Sequence, residues 1–516
     1  MKHFAGIRAY PFLMAAYPAL AMMAANVDQV EMTVVLRPLL LSLLLCALLY
    51  GVLALLIRRP EAAPLLSTWW LLLFFAYGHA YEALRAVTVA GESLGRHRYL
   101  VVVWIALALG GAWWILRRRD WGRMARVLTA ASAVAVVLPV IQLVAFAVEN
   151  SLLSAEREAS VAASEVGLLP EGQVLTAPVG EPLPDVYHII LDGYGRSDTL
   201  EKVYGFDNTE FLEALRDMGF VVAECSQSNY AQTEMSMATS TNLLYLDALG
   251  DTFLPGTDNR RPLRPLIRSS AVRRALESLG YRTIAFDTGF SFINLEDADR
   301  YLSPGLGNGL TGFELMFLRS TAGLLVLDSA EVLPQVLAPE LNRPQDDHRQ
   351  RVLFMFDELE RLPAEPGPRY VYAHIVSPHD PYVFDAQGNP IESPADGADP
   401  EQLRQAYADQ ARFISRRTIQ MLRAIIANSE TAPVIVLQAD HGPGQNSPAG
   451  RMGILNAYLF PGAEQKVDPG ITPVNSFRVL FNSVFGTSFS RLPDVSYFSI
   501  YPAPFDFTII PPSCPT

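Results

Sequence analysis

Residues 432–444 read APVIVLQADHGPG, and the fold is decided there. Pro433 to Leu437 is a short apolar run, the mark of a strand buried on both faces. It stops abruptly at Asp440, His441 and Gly442. A buried strand that ends on an acid beside an imidazole is either a polar turn or half of a metal site. The second reading needs ligands elsewhere in the chain. A twin stretch, DVYHIILDGYG, fills residues 185–195. Val186 to Leu191 form its strand, Asp192 ends it, and Gly193 lets the backbone turn sharply. Functional groups of open α/β sheets gather beyond the carboxyl ends of the strands, so Asp192 and Asp440 are expected to aim at one point.

Around these two runs, strand-like and helical segments alternate. NTEFLEALRDMG (208–219) is followed by YRTIAFD (281–287), YVYAHIV (370–376) and a long helical stretch near 401–428. This alternation predicts an α/β domain with a mostly parallel central sheet, from residue 184 to 516. The first 148 residues differ. Five apolar stretches, near 9–27, 38–57, 64–82, 99–116 and 127–148, each approach the roughly 20 residues that cross a bilayer. They predict a transmembrane bundle of five spans. No span centre carries an acid or base, so the bundle reads as an anchor rather than an ion path; His79 and Glu82 read as an interfacial pair. Residues 149–183 form a connector: NSLLSAEREASVAASEV as a short amphipathic helix, then a Pro/Gly-rich linker.

Charge orients the chain. Lys2 and Arg8, then Arg58 and Arg59, then Arg117, Arg118, Arg119, Arg123 and Arg126 occupy alternate ends of the spans, which makes that side cytoplasmic. Arg85, Arg96 and Arg98 dissent weakly. Five crossings then leave everything after residue 148 outside the cytoplasm. Up to residue 150 there are 13 Lys+Arg against 7 Asp+Glu; the remainder carries 27 against 46. So acidic a soluble part excludes nucleic acid as a partner. Three cysteines make no disulfide framework and no CxxC zinc pair, and a Cys225–Cys514 bridge stays open.

Two further segments bear chemistry. SNYAQTEMSMATSTNLLYL (228–246) predicts a helix opening at Thr233. A hydroxyl there meets free backbone N–H groups and the positive end of the helix dipole. Beside a divalent cation its proton leaves readily, which makes it a nucleophile. Alone, Thr233 would be read as an ordinary N-cap; the two aspartate-ended strands favour the nucleophile. YVYAHIVSPHDPYVF (370–384) carries His374 late in a strand and His379 in the loop beyond it. His379 is the better placed to hold a phosphate oxygen or protonate a leaving group.

Together these residues resemble the alkaline phosphatase superfamily in its sulfatase-like branch. The chain is most similar to membrane-anchored phosphoglycerol and phosphoethanolamine transferases of the lipoteichoic acid synthase kind, which carry five spans before an extracytoplasmic catalytic domain. The strand-ending Asp192, the helix-opening Thr233 with Ser236 and Asn242 downstream, His379 in PHDPYVF and the pair Asp440-His441 stand in the family's order. The chain departs from it with Asp192 where Glu is common and with Gln232 before the threonine. Cys225 in CSQSN lacks the proline and arginine of a formylglycine site, and a single Asp ends the first strand, which demotes a sulfatase reading. No histidine follows His441, so one cation is expected rather than two, Mn²⁺ or Zn²⁺, held by Asp192, Thr233, Asp440 and His441. His188, inside the first strand, reads as core. The resemblance implies transfer or hydrolysis of a phosphate-ester headgroup through a phospho-threonine at the outer face of a bacterial cytoplasmic membrane. Thr233 and His379 would be catalytic, and His379, His374 and Gln232 would bind substrate. A membrane lipid would donate the headgroup to an envelope glycan or lipid. The rivals are a sulfuric ester hydrolase of envelope polysaccharide and a non-catalytic envelope scaffold.

Overall fold

The computed structural model describes residues 8–514 except 28–29, 31, 58, 60, 86, 90–91, 119, 164–168, 178–179, 181, 250–252, 305–310, 330–343, 395–397 and 445–446. Lys2, Arg58 and Arg119, used above for orientation, lie outside the described residues. Two compact units emerge: residues 1–150 with 308–344, and residues 151–307 with 345–516.

Five helices stand where the five apolar stretches are: α1 (Tyr10–Asn26), α2 (Leu36–Leu56), α3 (Ala62–Arg85), α4 (His97–Arg117) and α5 (Gly122–Ala163). Among the described residues, three segments, Met32–Leu56, His97–Arg117 and Gly122–Glu149, are long and apolar enough to cross a membrane. α1 has 17 residues with Pro18 inside it, about 26 Å at 1.5 Å per residue, short of a hydrocarbon core about 30 Å thick. α3 mixes Ser67, Thr68, His79, Glu82 and Arg85 into its apolar sequence, and Leu65, Leu66, Leu71 and Tyr77 are buried among its neighbours. Its Ser67 and Thr68 hydroxyls donate back to the carbonyls of Ala63 and Pro64, four residues earlier. The three candidate segments turn large apolar side chains outward, with Leu48 65%, Leu55 83% and Val102 67% exposed, a surface suited to lipid. α5 runs on to Ala163; the side chains of 152–163, on which the amphipathic reading rests, lie outside the described residues.

Two later helices, Gly312–Arg319 and Leu324–Ser329, fold with the first unit. Phe313 and Phe317 join Met23, Leu71 and Phe75 in its core. Thr311 and Glu314 form a capping box, and the same Glu314 carboxylate takes both arms of Arg37.

The second unit is built on a mixed seven-stranded sheet. In chain order its strands are β1 (Val186–Leu191), β2 (Val221–Val222), β3 (Arg282–Phe286), β4 (Arg300–Leu302), β5 (Arg369–Ile375), β6 (Val434–Gln438) and β7 (Asn456–Leu459). Across the sheet the order is β2-β7-β6-β1-β5-β3-β4. Pairing is parallel from β6 through β1, β5 and β3 to β4, and antiparallel at β6–β7 and β2–β7. A separate hairpin, β8 (Ser496–Ile500) with β9 (Ala503–Ile510), closes the chain.

The sheet is buried on both faces, which is why its central strands are continuously apolar. Tyr187, Ile189 and Leu191 pack into one core; Val186 and Ile190 pack into the other. Within the α/β unit, α6 (Thr233–Asn242) covers the Val186/Ile190 face with Met235, Met237 and Ala238. The helix α7 (Pro400–Asn428) covers the opposite face with Tyr407, Ile414 and Leu422. His188 is wholly buried, edge-on to the Tyr372 and Phe477 rings, and burial followed by the nearby His374 pushes its pKa down to about 3. It is a core residue, as its place inside the strand suggests. Cys225 and Cys514 are joined in a disulfide. Arg196 donates to the carbonyl of Ser513 at 2.7 Å and pins the same tail.

Candidate metal centre and active site

Strand register brings the acids together. In the parallel ladders Ile190 pairs with Gln438 on one side and His374 on the other. Two residues beyond Ile190 and Gln438 stand Asp192 and Asp440, so alternation places both on the face that α6 covers, with His374 on the same face one step lower.

Each carboxylate is half satisfied. Asp192 Oδ2 accepts from His374 Nε2 at 3.1 Å, and its Oδ1 is buried without a hydrogen-bond partner. Asp440 Oδ1 accepts from the N–H of Gly193 at 3.1 Å and of His441 at 2.9 Å, and its Oδ2 is likewise buried and unpartnered. Both open oxygens face His441, whose Nε2 lies 3.6 Å from Asp192 Oδ1 and 3.2 Å from Asp440 Oδ2. His441 Nδ1 lies 3.0 Å from the carbonyl oxygen of Gly442 and must donate to it, so Nε2 carries the lone pair. Thr233 Oγ1 donates to that nitrogen at 3.1 Å. Gln232, with extended backbone (φ −130°, ψ 141°), is the N-cap of α6, and Thr233 is its first helical residue. The hydroxyl therefore does not cap its own helix; it points at His441 Nε2, and the residue is half-buried.

Asp192 Oδ1, Asp440 Oδ2, His441 Nε2 and Thr233 Oγ1 thus converge. Two buried carboxylates with orphaned oxygens would be stabilised by a positive charge between them. Among the described residues, two ligand groups are compact enough for a cation: Asp192, His379 and His441, and Asp192, His374 and Asp440, with donor atoms within 4.8 Å of one another in each. Oxygen donors with one or two imidazoles suit Zn²⁺ or Mn²⁺. Electrostatics agree. Burial works to raise the pKa of Asp192, but the His379, His374 and His441 imidazoles outweigh it and hold it well below the usual range. Burial, then Arg451, push His441 down to about 4, so it is neutral at pH 7 and able to coordinate.

His379 sits at the mouth, its ring 5.8 Å from that of His441, with Nδ1 donating to the Asp380 carbonyl at 2.9 Å. Burial opposes its charged form, but Asp192 and Asp380 raise its pKa. Gln232 is turned away: its amide donates to Ser499 Oγ and the Ile500 carbonyl, each at 3.2 Å. The structure therefore gathers Asp192, Thr233, His374, His379, Asp440 and His441, and directs the Gln232 amide to the terminal hairpin. It also adds Arg451, which no motif pointed to. Arg451 Nε donates to the carbonyl of Ala231, two residues before Thr233, at 2.6 Å, and Nη1 donates to the Gly442 carbonyl at 3.3 Å.

Neither a protein-family model nor a curated protein matches the chain. Solved structures similar to it include the integral membrane lipooligosaccharide phosphoethanolamine transferase A of Neisseria meningitidis, at 14% identity and a TM-score of 0.40 over 93% of this chain and 96% of that one. A zinc complex of the periplasmic domain of a phosphoethanolamine transferase from Escherichia coli follows at 12% identity and a TM-score of 0.41, over 64% and 93%. A phosphonate monoester hydrolase of Agrobacterium radiobacter shares 14% identity at a TM-score of 0.38, over 61% and 80%. Likeness at this level leaves the chemistry to be read from the side chains.

Proposed function

We propose that the chain is a metal-dependent phosphotransferase or phosphodiesterase that works on lipid headgroups at the outer face of the cytoplasmic membrane. One observation carries it: a half-buried threonine at a helix start places its hydroxyl 3.1 Å from a neutral imidazole nitrogen that two orphaned carboxylate oxygens also face, at 3.6 and 3.2 Å. Asp192, Asp440, His441 and Thr233 would hold one divalent cation, Zn²⁺ or Mn²⁺. When bound, the cation lowers the proton affinity of the hydroxyl and draws charge from the phosphoryl oxygens. Thr233 Oγ1 attacks phosphorus and its proton passes to solvent. The bond from phosphorus to the departing alcohol breaks, and His379 gives that oxygen a proton. An acceptor hydroxyl, or water, then attacks the phospho-threonine and restores Thr233. His374 holds the Asp192 carboxylate in position.

The anchor supports this setting by tethering the catalytic unit to its lipid donor, which raises effective concentration. Three crossings, like the five read from the sequence, would leave the second unit opposite a cytoplasmic amino terminus. The Cys225–Cys514 disulfide fits an oxidising compartment. The test is mass spectrometry of the Thr233 peptide after incubation of the metal-loaded protein with phospholipid vesicles. A phosphoryl-headgroup adduct is expected in the wild type and none in Thr233→Ala, which should still fold and insert. An unmodified wild-type peptide across anionic and zwitterionic phospholipids would overturn the reading.

A further inference from the structure

Large apolar side chains are scarce on the outside of the α/β unit. Among its described residues six are exposed: Val174, Val203, Leu254, Ile500, Tyr501 and Ile509. Three of them belong to one small structure. Ile500 is 46% and Tyr501 67% exposed at the turn of the terminal hairpin, and Leu254 is 56% exposed on a loop fastened to that hairpin. The Phe253 and Phe505 rings lie 5.6 Å apart, and the Gly256 N–H donates to Asp506 Oδ1 at 2.8 Å. The Arg260 guanidinium lies 3.9 Å from the centre of the Tyr501 ring and donates to the Tyr501 carbonyl. These contacts hold the turn out in an ordered form. Apolar side chains fixed in water are stabilised by whatever covers them.

The turn is tied to the approach to Thr233. β8 runs parallel to the segment that leads into α6: Tyr230 pairs with Tyr497, and the Tyr497 N–H donates to the Asn229 carbonyl at 2.8 Å. Further along, the Gln232 amide reaches Ser499 Oγ and the Ile500 carbonyl, each at 3.2 Å. Thr233 comes next on one segment and Tyr501 on the other. The exposed turn is therefore carried to the same end of the unit as the Thr233 hydroxyl.

Size and charge say what covers it. Three side chains fall far short of the roughly 800 Å² per partner that a stable protein interface buries, so a second copy of the chain is a poor fit. Residues 253–264 carry three arginines against one aspartate, where residues 151–516 as a whole carry 27 Lys+Arg against 46 Asp+Glu. Aliphatic, tyrosine and arginine side chains together suit the boundary between water and lipid: ring and stem lie among the headgroups and the cation meets phosphate. We propose that the turn at Ile500 and Tyr501, with Leu254 and Arg260, docks on the phospholipid headgroup layer of the membrane that anchors the chain. This deepens the function proposed above and rests on it for its purpose: Thr233 meets headgroups in the bilayer without a lipid being lifted into water.

The test uses the full-length protein in nanodiscs of phosphatidylcholine and phosphatidylglycerol that contain a lipid with a nitroxide on its headgroup. A bimane fluorophore is attached through Tyr501→Cys or, as a control, through Glu430→Cys in the exposed bend before β6, at the opposite end of the strands. Both carry Cys46→Ser, which removes the free thiol. The label at 501 should be quenched several times more strongly than the label at 430, and more so as the phosphatidylglycerol share rises. Equal quenching at the two positions would overturn the proposal. So would a disulfide joining two unlabelled Tyr501→Cys chains, which would assign the turn to a second copy. Ile500→Ser with Tyr501→Ser should lower kcat/KM on nanodisc phospholipid roughly tenfold, the worth of partly burying two such side chains. Turnover of soluble bis(p-nitrophenyl) phosphate, which needs no bilayer, should stay near wild type; an equal loss on both substrates would mean the turn serves the site and not the membrane. The two readings fail separately. A wild-type Thr233 that never carries an adduct ends the headgroup chemistry and leaves the quenching as it is, whereas an unquenched label beside a Thr233 adduct ends only the docking.

Discussion

Asp440 is the residue on which the candidate centre turns. It is wholly buried, two N–H groups hold one oxygen, and the other oxygen faces outward to the ligand point. Asp440→Asn keeps the shape but removes the charge and offers an NH₂ or a weak carbonyl to the ion. Partners one shell further out typically cost 10–100-fold in metal affinity, so a direct ligand should cost at least tenfold, read as metal per protein after dialysis. Unchanged occupancy would remove Asp440 from the ligand set. Away from the centre, Asp287 makes the fold acid-sensitive. Burial works to raise its pKa, but Arg351 at 3.0 Å, with the Gly289 N–H and Ser303 hydroxyl, brings it below the ordinary value. A carboxyl lowered in the folded state contributes stability above its unfolded pKa of about 3.9, and that contribution fades as pH falls through the folded value. Asp287→Asn should therefore lower the denaturant midpoint at pH 7, and the gap to wild type should close below about pH 4. A gap constant with pH would show that Asp287 acts by packing alone.

At the scale of elements, the site depends on how closely two loops approach. A Cβ on Gly442 would lie 2.4 Å from the Gly450 carbonyl oxygen and 2.8 Å from that of Gly453. Backbone oxygens cannot step aside without breaking the 2.6 Å bond from Gly442 N to Arg451 O. Gly442→Ala should cost about 1–3 kcal/mol as overpacking and lower metal occupancy in step, because His441 is its neighbour. Full occupancy and an unchanged Tm would show that the loop has slack. Helix α6 is fixed from its far end. Leu243 adopts a left-handed conformation (φ 58°) as its C-cap, a strained choice for a leucine, and Arg478 holds the Leu243 carbonyl through Nε at 3.0 Å and Nη2 at 2.8 Å. Asn242, placed downstream of Thr233 by the sequence pattern, ties the same end to the Leu266 carbonyl and the Ala271 N–H. The helix start was legible because Met235, Ala238, Leu243 and Leu244 are spaced as on one helix behind the Thr233 hydroxyl, although the helix ends at Asn242. The cap at its other end was not, since nothing local marks a leucine for positive φ.

At the scale of the whole molecule, the Cys225–Cys514 bridge closes a loop of 289 residues around the α/β unit. Cross-links over such spans contribute about 2–4 kcal/mol, so Cys225→Ser with Cys514→Ser should lower Tm and leave the metal content near wild type, measured side by side in detergent. An unchanged Tm would mean the bridge adds nothing beyond the Arg196 contact to Ser513. The return of residues 308–344 to the helical unit belongs to this scale too. Phe313, Glu314 and Phe317 look like any helix of the α/β domain until Arg37 and Phe75 are seen beside them. By itself the sequence determined the apolar helices, the buried strands and the acids that end two of them, because burial and side-chain alternation are written in neighbouring residues. Asp192 and Asp440 could be named on that basis; Thr233 was read from a helix start, His379 from the loop beyond a strand and His441 from its place beside Asp440. Only the tertiary structure decided that His374 supports Asp192, that the Gln232 amide turns to the terminal hairpin, that Cys225 meets Cys514 and that Arg451 ties the Ala231 and Gly442 carbonyls together. Those are outcomes of strand register and loop closure between residues tens to hundreds of positions apart, and no local pattern encodes them.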